Sequence, residues 1–282
     1  MFVFQSMSHI SLFTTLVVLV FVWVATRMVP HISVIQFIKQ LMTSRKFLLH
    51  FGALLLILYL NKLEMKVEST LGVPYDYANL FHSIEGDLVY WIQHTFLNPN
   101  LTYLLTFIYV IVFPALMIAS LIIYTGTGKH KMFYATCYAI MTNYIVAIPF
   151  YLFLPVNEVW YFHPHVDFLI PSIFPSFEQD YRPLSGLNNC FPSLHTSISV
   201  TVALLAYQSG NRVWKWITGV SALLVLFSIF YLGIHWFVDM LGGVALAVTA
   251  ATLGMKLAAR TEYMGELQLG TSVRSRQKVS EN

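Results

Sequence analysis

Two short polar clusters interrupt an otherwise apolar sequence, and each contains a histidine. In the first, residues 189–197, Pro192 is predicted to occupy the first turn of a helix, because it lacks the N–H that would go unpaired there. The amides of Ser193, Leu194 and His195 then point outward at the positive end of that helix, which favours a bound anion. The imidazole of His195 can pass a proton to or from a phosphate ester held there.

The second cluster, residues 228–239, pairs a histidine with a carboxylate. His235 and Asp239 are four residues apart, so on a helix they share one face. The carboxylate can hold the imidazole in one tautomer and support its positive charge, which leaves the other ring nitrogen as a nucleophile or base. Taken alone, each cluster is also compatible with a polar contact of no catalytic role. Two ionisable clusters at one membrane face favour a functional site.

A third group is an alternative site. His163, His165 and Asp167 have H-x-H-x-D spacing, and in an extended strand all three side chains would lie on one side. Such a trio can bind zinc. The other interpretation is a polar loop that contacts lipid headgroups or helps to bind substrate.

The composition places these clusters in a membrane protein. Hydrophobic residues make up 57% of the 282 residues and charged residues only 10%, and the mean hydropathy is +0.67. A soluble domain carries about 25% charged residues, so a soluble enzyme, a disordered chain and a disulfide-stapled secreted domain are excluded. The net charge of +3 comes from short basic clusters between apolar runs. That pattern is typical of loops at an anionic membrane surface and excludes a nucleic-acid partner.

The apolar runs predict a single all-α bundle of about six to seven transmembrane helices, because a span takes roughly 20 apolar residues. The first run is expected to be a retained helix and not a signal peptide, because no basic residue precedes it. The predicted segments are 10–29, 47–63, 101–124, 132–154, 192–208, 214–234 and 236–257.

The basic residues predict the orientation of the bundle. Of the 16 Lys and Arg, only Lys62, Lys66 and Arg182 fall on the side of the loops 64–100 and 155–191. The positive-inside rule places the other side in the cytoplasm, so both histidine clusters face away from it. We expect a multi-pass protein of the plasma membrane with its active site on that outer face.

Residues 75–97 are too polar to span the membrane, and they predict an amphipathic helix in the outer interface. Glu85 and Asp87 lie off its apolar face. That helix either packs on the bundle only or assists lipid access. The predicted apolar face contains Leu80, Phe81, Ile84, Leu88, Trp91 and Ile92.

The two histidine clusters resemble the motifs of the type 2 phosphatidic acid phosphatase superfamily, P-S-G-H and S-R-x5-H-x3-D. The strings F-P-S-L-H and H-W-F-V-D are closer to its inositol phosphorylceramide synthase branch. The resemblance covers about residues 100–257 and leaves 1–99 as N-terminal spans with the interfacial helix and 258–282 as a cytoplasmic tail. Six residues match at the family's spacing: Pro192, Ser193 and His195, then Ser228, His235 and Asp239.

The resemblance implies a role for each matching residue. His235 attacks phosphorus and becomes a phosphohistidine, Asp239 orients it, and His195 protonates the leaving alkoxide. Arg182, with the amides of Ser193 and Leu194, binds the phosphate. No metal or other cofactor is implied, because helix-end amides and basic side chains neutralise the charge.

Three positions depart from the family pattern. Leu194 replaces the glycine of P-S-G-H, Ile229 stands where the phosphatases have an arginine, and Pro175 stands where they have a lysine. Loss of two basic phosphate ligands favours transfer of a phospho-headgroup to an alcohol, whereas an open outer face favours hydrolysis by water.

The predicted function is therefore that of a lipid phosphatase or phosphotransferase. Its partners are the bilayer and a lipid-linked phosphate, and its acceptor is water or a hydroxyl compound. A transporter and a non-catalytic lipid-binding protein are the alternatives. Transporters place ionisable or broken positions near the bilayer midplane, whereas the polar residues here cluster at one end of the spans.

Overall fold

The structure is a computed structural model that describes residues 6–71 and 75–280. Its described part is helical, and its only paired extended residues are Val156 and Asn189. The all-α prediction is therefore confirmed. The helices are α1 (Met7–Thr26), α2 (Pro30–Thr43), α3 (Arg45–Leu71), α4 (Ala78–Glu85), α5 (Leu88–Phe96), α6 (Pro99–Phe107), α7 (Phe113–Gly126), α8 (His130–Phe153), α9 (Val159–Phe162), α10 (Phe177–Asp180), α11 (Arg182–Ser185), α12 (Leu194–Gln208), α13 (Arg212–Tyr231) and α14 (Phe237–Ser280).

The chain is an integral membrane protein with a polytopic helical bundle. Helix α12, the predicted fifth segment, has 15 residues, fewer than the roughly 20 that cross a bilayer. It packs inside the bundle against α8, α13 and α14. Within the described ranges, six segments are long and apolar enough to span: Met7–Thr26, Arg45–Val67, Pro99–Gly126, His130–Phe153, Arg212–Tyr231 and Phe237–Tyr263.

The third span contains a π-helical turn, Ile108–Val112, between α6 and α7. Pro114 follows it and has no N–H to donate to the carbonyl four residues earlier, which disfavours a regular α-helix at this point. Every residue of the π-helical turn is buried. Such turns recur at functional sites, and this one lies beside His195.

Helix α2 was not predicted. It begins at Pro30, a residue that favours the first helical position. Three of its isoleucines, Ile32, Ile35 and Ile38, are spaced three residues apart and lie exposed on its surface. The segment between the first two predicted spans is therefore an amphipathic helix and not a loop.

The predicted interfacial helix at 75–97 is instead two helices, α4 and α5, separated at Gly86 with a φ of 60°. Leu80, Ile84 and Trp91 of the predicted apolar face remain exposed, whereas Phe81 is buried against the bundle. An apolar row directed away from the bundle suits a pair of helices at a membrane interface.

The last span begins close to its predicted bounds, 236–257. Helix α14 is continuous from Phe237 to Ser280, so most of the predicted cytoplasmic tail, 258–282, lies within this helix. The helix therefore continues through residues 258–280.

The long loop at 155–191 packs onto the turn between α13 and α14. The amide of Val159 donates to the carbonyl of Ile234 at 3.1 Å, and that of Trp160 to the carbonyl of Gly233 at 2.9 Å. Gly233 has a φ of 80°, and a Cβ there would lie 2.6 Å from the carbonyl oxygen of Asp167. Only glycine fits this turn, which positions His235 two residues later.

Candidate active site

His235 and Asp239 meet at the beginning of α14. The structure corrects one detail, because the helix begins at Phe237 and His235 therefore precedes it. Asp239 Oδ2 lies 3.2 Å from His235 Nδ1 and accepts the amide hydrogen of Trp236 at 2.9 Å. The carboxylate reaches back to an amide before the helix, as in a capping box, and also orients the imidazole. Nε2 of His235 is the ring nitrogen left for a substrate.

A second carboxylate, Glu85 at the end of α4, also caps α14. Its Oε2 accepts the amide hydrogen of Val238 at 3.1 Å. Burial raises the pKa of Glu85 to about 7, and the nearby charge of Asp239 adds to the increase. The hydrogen bond from Val238 lowers this pKa and offsets burial only in part. Helix α4 therefore contacts the helix that carries Asp239 next to the catalytic pair.

Helix α12 begins beside α14. Ser193 precedes it, and its Oγ accepts the amide hydrogen of Thr196 at 3.3 Å. Pro192 thus lies outside the helix, contrary to its predicted place in the first turn. The amide of Ser193 donates to the carbonyl of Asp239 at 3.2 Å, so this amide is already engaged. The amides of Leu194 and His195 lie in the first turn, where no earlier helical carbonyl can accept their hydrogens.

Aromatic rings fix the imidazole of His195. Tyr109 of the π-helical turn stacks on it with a centroid distance of 4.0 Å, and Phe113 lies at 4.4 Å. Its Nε2 is buried, and no described residue forms a hydrogen bond with it. The centroids of His195 and His235 are 6.2 Å apart. The two imidazoles are therefore neighbours.

Both histidines line one cavity of about 200 Å³. Its wall also contains Leu194, Cys190 and Glu158, and none of the described residues that line it is a Lys or an Arg. The cavity can hold a phosphorus atom between a nucleophilic nitrogen and a proton donor. Its anion binding must depend on amides and on the positive ends of α12 and α14.

Arg182 does not line this cavity but binds two of the residues that do. Its Nη1 lies 2.6 Å from Glu158 Oε1 and donates to the carbonyl of Gly186 at 2.9 Å, while Nη2 lies 2.8 Å from Glu178. Burial raises the pKa of Glu158, and the charge of Arg182 opposes that increase. The guanidinium thus fixes two residues of the lining, Glu158 and Gly186, and is itself absent from the lining residues.

The other two basic ligands of the family have no replacement among the described lining residues. Ile229 is completely buried in α13, and Pro175 lies in the long loop. Neither lines the cavity. The site therefore has fewer cations than the phosphatase motif provides.

One group of side chains could hold a metal ion. Ligand atoms of Cys190, His235 and Asp239 lie within 4.8 Å of one another. Burial raises the pKa of the Cys190 thiol well above its ordinary value, so the thiol stays protonated at neutral pH. Asp239 Oδ2 already binds His235 and the amide of Trp236. These contacts suit an orienting carboxylate better than a metal ligand.

The alternative H-x-H-x-D site does not form. His163 Nε2 lies 3.2 Å from Asp87, and the backbone amide of Asp167 donates to Gln93 Oε1 at 2.8 Å. Among the described residues, His163, His165 and Asp167 do not form a metal-ligand cluster. The trio helps to attach the long loop to α5.

The sequence patterns did not identify several residues of the site. Glu85 had one usable signal, since it lay off the predicted apolar face. Tyr109 and Phe113 had none, because a stacked ring and a buried ring look alike in an apolar run. Asn61 of α3 also lines the cavity, and its only signal was an amide side chain within a predicted span.

Comparison with protein families matches residues 79–253 to the PAP2 superfamily. The match begins before residue 100, where the resemblance in the sequence begins. It includes almost all of α4, all of α5 and both histidine clusters, and it ends within α14. Comparison with curated proteins and with solved structures gave no match. Because the matched segment is more than half of the chain, this integral membrane protein belongs to the PAP2 superfamily, whose members are phosphatases and phosphotransferases.

Proposed function

We propose that this protein is a lipid phosphatase or phosphotransferase that works through a phosphohistidine on His235. One observation supports this most directly: His195 and His235 line the same cavity with their rings 6.2 Å apart, and Asp239 holds Nδ1 of the second. Nε2 of His235 forms a bond to phosphorus while the bond from phosphorus to the lipid oxygen breaks. Protonated His195 gives its proton to that oxygen.

The second half of the reaction reverses these roles. Water or an alcohol attacks the phosphohistidine, neutral His195 takes the proton of the attacking hydroxyl, and the bond from phosphorus to nitrogen breaks. The amides of Leu194 and His195 at the start of α12 stabilise the phosphoryl oxygens, because they face the positive end of a helix. No metal is required for either step.

The substrate is a lipid that reaches the cavity from the bilayer. The exposed apolar row on α4 and α5 supports an interfacial position for these helices beside the site. The distribution of Lys and Arg supports an active site that faces away from the cytoplasm. We also propose that this membrane is the plasma membrane.

Transfer of a phospho-headgroup, as in inositol phosphorylceramide synthases, is the second candidate. The observation that favours it is the absence of Lys and Arg among the described lining residues. A phosphomonoester carries a charge of about −1.5 to −2 at neutral pH, whereas a phosphodiester carries only one negative charge. A cavity with few cations therefore suits a phosphodiester lipid.

Phosphate release by the purified protein in detergent tests the proposal. Phosphatidic acid and a polyprenyl diphosphate are the first substrates, with EDTA present, and phosphatidylinositol with an alcohol acceptor is the second assay. Radiolabelled substrate should leave an acid-labile phosphate on the wild-type protein. His235→Asn should lose this label and at least about 10³-fold in turnover, because the nucleophile is gone.

His163→Asn is the matched control, because its imidazole lies on the same side of the bundle and pairs with Asp87. It should retain wild-type turnover. Full activity of His235→Asn in every assay would overturn the assignment of the nucleophile. Loss of wild-type activity with EDTA would overturn the metal-independent mechanism.

A further inference from the structure

A second part of the cavity wall has polar atoms without partners. Asn61, Ser185 and Asn189 line the same cavity as the two histidines. Oδ1 of Asn61, Oγ of Ser185 and Oδ1 of Asn189 are buried and form no hydrogen bond with any described residue. A buried acceptor left unpaired destabilises the folded protein. Three such atoms on one wall indicate a ligand that supplies hydrogen-bond donors.

The orientation of Asn189 is fixed by its neighbours. Its Nδ2 lies 3.5 Å from Glu64 Oε2, so the amide nitrogen is directed at the carboxylate. A Cβ at Gly186 would lie 2.9 Å from the same nitrogen. The turn at Gly186, whose carbonyl binds Arg182, therefore has room for the Asn189 side chain only because residue 186 is glycine. Oδ1 of Asn189 therefore remains as an acceptor.

The chemistry of this wall differs from that of a phosphate site. The amide oxygens of Asn61 and Asn189 accept hydrogen bonds, and none of the described lining residues is a Lys or an Arg. Phosphate oxygens are acceptors too, so such a wall repels them. Hydroxyl groups can donate to each acceptor and remain neutral, which makes them the fitting ligand groups.

The wall is also close to the reacting atoms. Asn189 precedes Cys190, whose Sγ lies within 4.8 Å of ligand atoms of His235 and Asp239. A hydroxyl-bearing group bound at Asn189 would thus share one cavity with a phosphoryl group at the two histidines.

We propose that Asn61, Ser185 and Asn189 form a hydroxyl-binding subsite that holds a polyol beside the transferred phosphate. The polyol is either the headgroup of a phosphodiester lipid or the alcohol that accepts the phosphoryl group. This inference rests on the proposed function. Asn61 belongs to α3, which lies before the segment matched to the family, 79–253. The N-terminal spans therefore contribute to the choice of substrate.

Binding of two soluble probes tests the subsite without turnover. Titration calorimetry on the His235→Asn protein in detergent would compare glycerophosphoinositol, whose headgroup is a polyol, with glycerophosphocholine, a phosphodiester that has the same glycerol but no hydroxyl group in its headgroup. We expect glycerophosphoinositol to bind about tenfold more tightly, or about 1.4 kcal/mol. A second substitution, Asn61→Leu, should abolish this preference, and Ser185→Ala should reduce it about threefold through loss of one hydrogen bond.

Two matched substitutions control for general effects of losing a polar side chain. Asn100→Leu removes an exposed amide that does not line the cavity. Ser172→Ala removes a hydroxyl of the same long loop that donates to the carbonyl of Leu169. Both should keep the preference for glycerophosphoinositol. Ser185→Ala changes little volume, so it remains informative if Asn61→Leu does not fold.

The outcomes separate this inference from the proposed function. Equal affinity for both probes, or a preference that survives both cavity substitutions, overturns the subsite whatever the turnover. Wild-type activity that does not depend on His235 overturns the proposed function and leaves the binding result valid. Binding of free myo-inositol with the same dependence on Asn61 identifies the acceptor alcohol as the polyol. Binding of glycerophosphoinositol alone identifies the lipid headgroup.

Discussion

The two helix starts that meet at the cavity are stabilised in different ways. Helix α12 is capped by its own preceding residue, since Ser193 Oγ accepts the amide hydrogen of Thr196. Helix α14 depends on its own first turn and on another helix, since Asp239 caps the amide of Trp236 and Glu85 caps that of Val238. The capping of α12 is thus local, whereas the start of α14, which carries Asp239, depends on the position of α4.

This difference has a functional consequence. Both helix starts are joined by the hydrogen bond from the amide of Ser193 to the carbonyl of Asp239. A displacement of α4 would change the capping of α14 directly and would reach the start of α12 through this bond and through the ring contact of Phe81 with Phe191. Because α4 exposes Leu80 and Ile84 to its surroundings, the membrane surface is connected to the nucleophile more directly than to the general acid.

Among substitutions at the start of α14, Asp239→Asn should cause the largest loss of turnover. It keeps the size and the capping oxygen but removes the negative charge that supports an imidazolium at His235. We expect turnover to fall about 10³-fold, because the wrong tautomer of the histidine is then favoured. Steady-state rates of the wild type and the variant on the preferred lipid measure this loss of turnover. A loss below about tenfold would mean that Asp239 acts as a cap and not as an orienting group.

Replacement of Glu85 tests whether capping from α4 matters. Glu85→Ala leaves the amide of Val238 without its acceptor, and we expect a loss of about 1 kcal/mol in stability together with about tenfold in kcat. Glu85→Gln retains an oxygen acceptor and should restore most of both. Thermal unfolding in detergent and steady-state kinetics measure these effects. Asp87→Ala is the matched control, since that exposed carboxylate pairs with His163 instead.

Glu85 also predicts a pH dependence with a definite sign. Its folded pKa is about 7, raised from 4.5 by burial, so the folded state binds a proton more tightly than the unfolded state. Its contribution to stability is therefore complete below about pH 4.5 and is lost as the pH rises through about 7. The Tm of wild type minus that of Glu85→Gln should fall between about pH 5 and pH 8. A rise would show that the carboxylate is stabilised as an anion.

Whether a residue of the site could be predicted also depends on whether its signal is local in the sequence. The bundle, both histidines and Asp239 could be read from apolar runs and motif spacing, because those signals are local in the sequence. Glu85 and Asn61 could not be placed at the site, because the two catalytic histidines are more than a hundred residues away from them along the chain. The break at Gly86 was missed since one amphipathic pattern continues across it. Helix α12 was predicted as a span because apolar content indicates burial and does not distinguish lipid from protein.

The smallest expected effect is at Ser193, and it sharpens the contrast between the two helix starts. Ser193→Ala removes the hydroxyl that caps α12 and keeps the backbone amide that donates to Asp239. We expect a loss of about 1 kcal/mol in stability and less than about threefold in kcat, because the imidazole of His195 is still held by Tyr109. Thermal unfolding and turnover on the same lipid measure both. If kcat instead fell more than about tenfold with an unchanged Tm, the hydroxyl would contact the substrate, and α12 would depend on its ligand as α14 depends on α4.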